Sequence, residues 1–137
     1  MGVQAQTLIS CTASSVPIRI LVADDSDLLR GVINRFLSEE PRVQVVGEAK
    51  DFTETVQKGE ELKPTVVLKD VHMRDESRFP LDLVRSKLLA STECVLAMSF
   101  WNDDETVSLS SSYGASMLLA KSDLGTELLP AIEKLCA

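Results

Sequence analysis

The chain has 137 residues, 45% of them apolar and 26% charged, with a net charge of −7. That is one ordinary globular domain, long enough to bury roughly two thirds of its unfolded surface without staples. The acidic balance argues against a nucleic-acid face, which wants clustered basic residues, and against binding to an anionic membrane surface. No apolar stretch approaches the roughly 20 residues that span a bilayer.

The first seventeen residues, Met1 to Pro17, hold no charged group and little to pack. Leu8, Ile9, Ser10 and Cys11 look like a lipoprotein cleavage box. No Lys or Arg precedes them, however, and the apolar run is too short for a signal peptide. Position 6 is Gln6, where a myristoylation signal would want Ser or Thr. A solvated tail is expected over 1–17, with one domain over 18–137.

From there strand and helix patterns alternate. Ile18 to Ala23 is an apolar run ending in acids, a buried parallel strand. Ser26 can cap a helix with Leu28, Leu29, Val32, Ile33, Phe36 and Leu37 at helical spacing, ending before Pro41. Val43 to Ala49 is a second strand, and Asp51 can cap a helix to about Leu62. Thr65 to Asp70 is the third strand, followed by a polar loop to Pro80 and a helix carrying Leu81, Leu83, Val84, Leu88 and Leu89. Glu93 to Ser99 is the fourth strand. Asn102 can cap a helix reaching about Tyr113, with Gly114 suited to its end. Met117 to Ala120 is the fifth strand, and Ser122 or Asp123 caps a last helix that Pro130 should kink or loosen. Five such repeats with right-handed crossovers predict an α/β fold, a doubly wound five-stranded parallel sheet with five helices of the flavodoxin-like kind.

Cys11, Cys94 and Cys136 are odd in number and widely spaced, which fits neither a disulfide framework nor metal-ligand spacing. They point to a reducing compartment and a cytoplasmic location. Cys94, inside an apolar run, reads as a small buried hydrophobe.

In doubly wound sheets the sites lie beyond the carboxyl ends of the strands. Here those ends carry Asp24 and Asp25, then Asp70, then Ser99, then Lys121. Three close carboxylates repel, and a divalent cation relieves them. An oxygen-only set suits Mg²⁺ or Mn²⁺ and not zinc. A single carboxylate can also be a nucleophile toward a phosphoryl group, with Lys121 and Ser99 able to bind its oxygens. Each residue alone is ordinary turn, cap or surface chemistry. Their joint placement, each at its own strand end, is what carries the reading.

The chain resembles the receiver domain of two-component response regulators, from about Ile18 to Leu135. The first strand with Asp24 and Asp25, the strand Pro64 to Asp70 followed by Val71-His72-Met73, Ser99, and the segment Gly114 to Lys121 carry the resemblance. Val45 to Ala49 is most similar to the NarL/FixJ subgroup. The resemblance implies that Asp70 accepts a phosphoryl group from a sensor histidine kinase or a histidine phosphotransfer protein. It implies Mg²⁺ on Asp25, Asp70 and the backbone carbonyl of His72, with Asp24 acting through water. Ser99 and Lys121 would read the phosphoryl group. Self-phosphorylation and autodephosphorylation would be the only catalysis, with no metabolic substrate. An output protein, and a homodimer through the fourth-helix face, follow by the same analogy.

The departures from the family pattern are Arg74 for Pro, Phe100 for a small residue, Ser122 for Pro, and Leu118 where an aromatic is usual. Lys69 adds a charge just before Asp70. Tyr113 reads as a helix-end packing residue. His72 and Trp101 border the expected pocket and could screen an acyl phosphate from water. No basic recognition-helix pattern follows the fifth helix, so no DNA-binding output is expected in this chain: either it acts alone through protein contacts or it is a fragment of a longer regulator. One alternative is a degenerate receiver that serves as an interaction platform. Another is an Asp-nucleophile phosphohydrolase, which wants a second acid where His72 stands.

Overall fold

Aliphatic runs bounded by polar residues become strands because both of their faces can be covered. They form β1 (Ile18–Ala23), β2 (Val43–Ala49), β3 (Val66–Asp70), β4 (Cys94–Ser99) and β5 (Met117–Ala120). Between them lie α1 (Asp27–Ser38), α2 (Phe52–Leu62), α3 (Leu81–Ser91), α4 (Asp104–Ser112) and α5 (Leu124–Cys136). This computed structural model describes residues 16–136. The expected tail, with Cys11 and nearly all of 1–17, therefore lies outside the described residues, as does the side chain of Cys136.

The five strands are parallel, in the order β2-β1-β3-β4-β5. The chain winds outward one way from β1 and the other way from β3, so a crevice opens beyond the carboxyl ends of these two strands. The doubly wound fold expected from the sequence is the fold observed. On one face, α1 and α5 supply Ile33, Leu37, Leu128 and Ile132 to a core with Ile20, Val22, Leu68 and Leu96. On the other, Phe52 of α2 and Val84 and Leu88 of α3 pack with Val95, Ala97 and Tyr113.

Two helix starts agree with expectation: Ser26 Oγ accepts from Leu29 N (3.1 Å) and Asp51 Oδ1 from Glu54 N (2.8 Å). Others differ. The residue at the start of α4 is Asp103, not Asn102, and its carboxylate is bonded to Thr106 Oγ1 (2.6 Å). The last helix is entered through a 3₁₀ turn, Lys121–Asp123, in place of a side-chain cap by Ser122 or Asp123. Helix α5 runs on through Pro130. Gly114 leaves α4 at φ +83°, a left-handed conformation that glycine adopts freely. Cys94 is half-buried, because it opens β4 at the edge of the core, where its Sγ meets Ser116 Oγ (3.8 Å). Leu28 (80% exposed) and Val32 (55%) do not join the core as their spacing suggested. They stand on the side of α1 turned away from Ile33 and Leu37.

The core also holds a charge. Lys69 is 1% exposed. Its register neighbours are Ala23 on β1 and Ala97 on β4, and side chains in register share a sheet face, so two small residues leave room for its stem. The Lys69 ammonium pairs with the buried Glu76 carboxylate, which accepts a hydrogen bond from the Tyr113 hydroxyl (2.5 Å). Burial lowers the Lys69 pKa and raises that of Glu76, and their mutual contact opposes both shifts. Removing one partner of a buried pair strands the other charge, at about 3–5 kcal/mol. Lys69→Met alone is expected to lower the unfolding free energy by that amount in a urea titration. The triple variant Lys69→Met, Glu76→Leu, Tyr113→Phe is expected to recover most of it, because no unpaired charge is then left inside, only the Asp70 carbonyl without the Lys69 donor.

Candidate functional site

The turn after β1 places two acids. Asp24 is fully buried; its Oδ1 accepts from Ser26 N (2.8 Å), and its backbone carbonyl accepts from Arg30 Nη1 (2.5 Å). Arg30 is in turn held by Glu48 (3.1 Å) and by Asp27, so an ion-pair cluster across β2 and α1 fixes this turn. Asp25 follows, partly exposed. At the end of β3, Asp70 Oδ1 accepts from His72 N (3.1 Å). Lys121, directly after β5, reaches back with its ammonium 2.7 Å from Asp24 Oδ2 and 3.3 Å from Asp70 Oδ2.

Carboxylate oxygens of Asp24, Asp25 and Asp70 lie within 4.8 Å of one another. They open into a cleft of about 470 Å³ whose mouth is formed by His72, Phe100 and Trp101 and by Leu28, Leu29 and Val32 of α1. Three acids against one lysine leave negative charge uncompensated. Hard oxygen donors without nitrogen or sulfur are the set a cation such as Mg²⁺ prefers, so these residues fit that ion.

The geometry brings together most of the residues singled out in the sequence. Asp24, Asp25, Asp70, His72, Phe100, Trp101 and Lys121 all line the cleft. Ser99 is buried at the end of β4, and its Oγ accepts from Trp101 N (3.0 Å); among the described residues it is not part of the lining. Arg74 is exposed in the loop after β3 and does not border the cleft. Phe100 and Trp101 are 65% and 63% exposed, His72 meets Trp101 edge to face (6.1 Å), and the Lys121 ammonium lies 5.2 Å from the Phe100 ring centre.

Sequence reasoning missed the anchor of the loop after β3. Asp75 Oδ1 accepts from Phe52 N (2.6 Å), and its Oδ2 accepts from Thr53 N (3.1 Å) and Thr53 Oγ1 (2.6 Å). A distant acid thus caps α2 beside its own Asp51. Burial alone would raise the Asp75 pKa, but these hydrogen bonds outweigh it and hold the group below the usual carboxylate range. Nothing in local spacing marks a partner more than twenty residues away.

Comparison with known proteins bears on the fold and the family. No family model matches the chain. The response regulator protein VraR of Staphylococcus saprophyticus is 29% identical over 119 residues, covering 87% of this chain and 56% of VraR. The transcriptional regulatory protein LiaR of Bacillus subtilis is 30% identical over 115 residues, covering 84% of this chain and 54% of LiaR. The chain therefore spans about half the length of these curated relatives. Among solved structures, the signal receiver domain of the response regulator NarL from Mycobacterium tuberculosis superposes with a TM-score of 0.76 at 27% identity, covering 88% and 96% of the two chains. The response regulator domain of Thermotoga maritima CheB gives 0.72 at 30% identity, covering 86% and 95%. The doubly wound sheet described above is the fold on which these receiver domains superpose. The chain belongs to the receiver domains of two-component response regulators, in their NarL-like group.

The Asp70 pKa is raised: burial does most of this, the Asp24 charge adds to it, and Lys121 and the His72 N–H oppose it. A carboxyl whose folded pKa lies above its unfolded one favours folding only while protonated, and that contribution is lost as pH rises through the folded value. Asp70→Asn is therefore expected to raise the denaturation midpoint at pH 7. The gain is expected to vanish as pH falls below about 4, the ordinary Asp value. Urea titrations across this range measure it.

Proposed function

We propose that this receiver works in a phosphorelay, over residues 18–137, with Asp70 as the phosphoacceptor. The convergence of Asp24, Asp25, Asp70 and Lys121 at one cleft carries the reading. The donor is a phosphohistidine on a sensor kinase or a phosphotransfer protein. An Asp70 carboxylate oxygen attacks the phosphorus, the phosphorus–nitrogen bond breaks, and the donor imidazole leaves with the electron pair. Asp24, Asp25, Asp70 and the backbone carbonyl of His72 would hold Mg²⁺ or Mn²⁺. When bound, the cation offsets charge on the phosphoryl oxygens.

The chain's own groups do the rest. Lys121, already paired with Asp24 and Asp70, can exchange one carboxylate for a phosphoryl oxygen. Ser99 accepts from Trp101 N, so its hydroxyl proton is free for a phosphoryl oxygen if the side chain turns toward the cleft. Such a turn would carry the Phe100–Trp101 segment with it. The readout is then a change in protein contacts with an output partner, and the setting is cytoplasmic. His72 and Trp101 at the mouth limit access of water to the acyl phosphate.

A second reading has one observation in its favour. Phe100 lies over Lys121 at the mouth, where a large ring narrows entry; this would suit a receiver that acts as an interaction platform without phosphorylation.

Incubation with Mg²⁺ and acetyl phosphate or phosphoramidate, followed by intact mass, separates the two. A labile phosphate adduct that Asp70→Asn abolishes is the expected result. No adduct, from small donors or from a kinase, would leave the platform standing instead. Given an adduct, His72→Ala and Trp101→Ala are each expected to speed autodephosphorylation several-fold in a decay assay. Unchanged decay would remove their screening role.

A further inference from the structure

Lys69, Glu76 and Tyr113 form a buried polar network that the acceptor chemistry above leaves unused. The Lys69 ammonium donates to the backbone carbonyl of Asp70 (2.8 Å), pairs with Glu76, and sits 4.1 Å from the centre of the Tyr113 ring. The Tyr113 hydroxyl donates to the other Glu76 oxygen (2.5 Å). One network thus grips three places: the peptide that carries Asp70, the 3₁₀ turn Glu76–Arg78 in the loop after it, and the residue at which α4 ends. Tyr113 is itself fixed there, since its N–H donates to Leu109 O (3.1 Å) and Ser110 O (3.2 Å).

Stability alone does not account for this arrangement. A buried ion pair is often replaceable by apolar residues at no net loss, and an apolar side chain would fit between Ala23 and Ala97. What the pair supplies is geometry. Lys69 cannot move without disturbing Asp70, Glu76 and Tyr113 together, because its ammonium has no solvent to turn to. Leu118 on β5 is not aromatic, and it packs in the same cluster as Tyr113. Tyr113 is the aromatic ring that joins this part of the sheet to the end of α4.

We propose that Lys69 is a positioning residue for Asp70, and that Glu76 and Tyr113 couple its grip on the Asp70 peptide to the end of α4. The proposal rests on Asp70 being the acceptor. In it, Lys69 holds the Asp70–Val71 peptide so that the carboxylate faces the cleft. A group bound at Asp70 shifts that peptide, and the shift passes to Tyr113. Such coupling is reciprocal: whatever loosens Tyr113 must weaken binding at Asp70 by the same factor.

The test uses Mg²⁺ with beryllofluoride as the stand-in for the phosphoryl group. Trp101 is the sole tryptophan and lines the cleft, so its fluorescence reports occupancy. Tyr113→Phe keeps the ring and removes only the hydroxyl. It is expected to weaken beryllofluoride binding about fivefold or more, the lower end of typical coupling. In the wild type, hydrogen exchange over residues 109–116 is expected to change when beryllofluoride binds; in Tyr113→Phe that response is expected to be lost. Glu76→Gln, which keeps an acceptor for Tyr113 but drops the charge facing Lys69, is expected to weaken binding as well. The double variant is expected to bind no worse than the weaker single one, as one shared network requires. Variants that are merely less stable, yet bind beryllofluoride and change exchange over 109–116 as the wild type does, would overturn the coupling and leave Asp70 as acceptor. A wild type that binds no beryllofluoride with Mg²⁺ would overturn the acceptor reading, and this proposal with it.

Discussion

The molecule is organised around a repulsion. Asp24, Asp25 and Asp70 bring their oxygens within 4.8 Å of one another at the carboxyl edge of the sheet. Left to themselves such groups would separate or take up protons. The sheet does not allow separation, because β1 and β3 are adjacent parallel strands in fixed register. Burial and the Asp24 charge raise the Asp70 pKa, while Lys121 supplies the nearest positive charge. Surplus negative charge held in a rigid frame of oxygen donors is the setting that a hard divalent cation neutralises.

The surrounding contacts can be read as the means of holding that frame. Arg30 ties the acidic turn to Glu48 and Asp27. Asp75 ties the loop after β3 to the start of α2. Lys69 ties the Asp70 peptide to Glu76 from beneath the loop. Each of these is a charged or charge-assisted contact, stronger and more directional than a neutral hydrogen bond. Apolar packing supplies the bulk of the stability but little direction. The polar ties supply the direction at the edge where it matters, while the outward apolar residues Leu28, Val32, Phe100 and Trp101 are left around the mouth.

Much of this was legible in the linear chain. Short runs rich in aliphatic residues give the five strands, since a sheet covered on both faces accommodates them. The crossover rule then gives the parallel sheet, and the carboxyl-end rule points to Asp24, Asp25, Asp70 and Lys121. Helical spacing was a poorer guide to burial. Leu28 and Val32 have the period of Ile33 and Leu37 but face the cleft and solvent, because period alone does not say where a neighbouring core ends. Ser99 was placed at its strand end, but its side chain engages Trp101 N. Rotamer and loop path, not strand order, set that choice.

The alternation of strands and helices in a doubly wound sheet, and with it the gathering of the acids and the lysine on one edge, belongs to the chain as written. Its hydrophobic runs and turns admit few topologies, and each strand end is an address that needs no knowledge of distant contacts. The partners of Lys69 and Asp75 belong to the folded molecule. Lys69 in a strand next to Asp70 reads as a misplaced charge until Glu76 and Tyr113 arrive from a loop and a helix end. Asp75 reads as loop polarity until the start of α2 swings under it. Such pairings depend on atoms meeting within about 3 Å across long stretches of sequence, and no local pattern encodes a meeting of that kind.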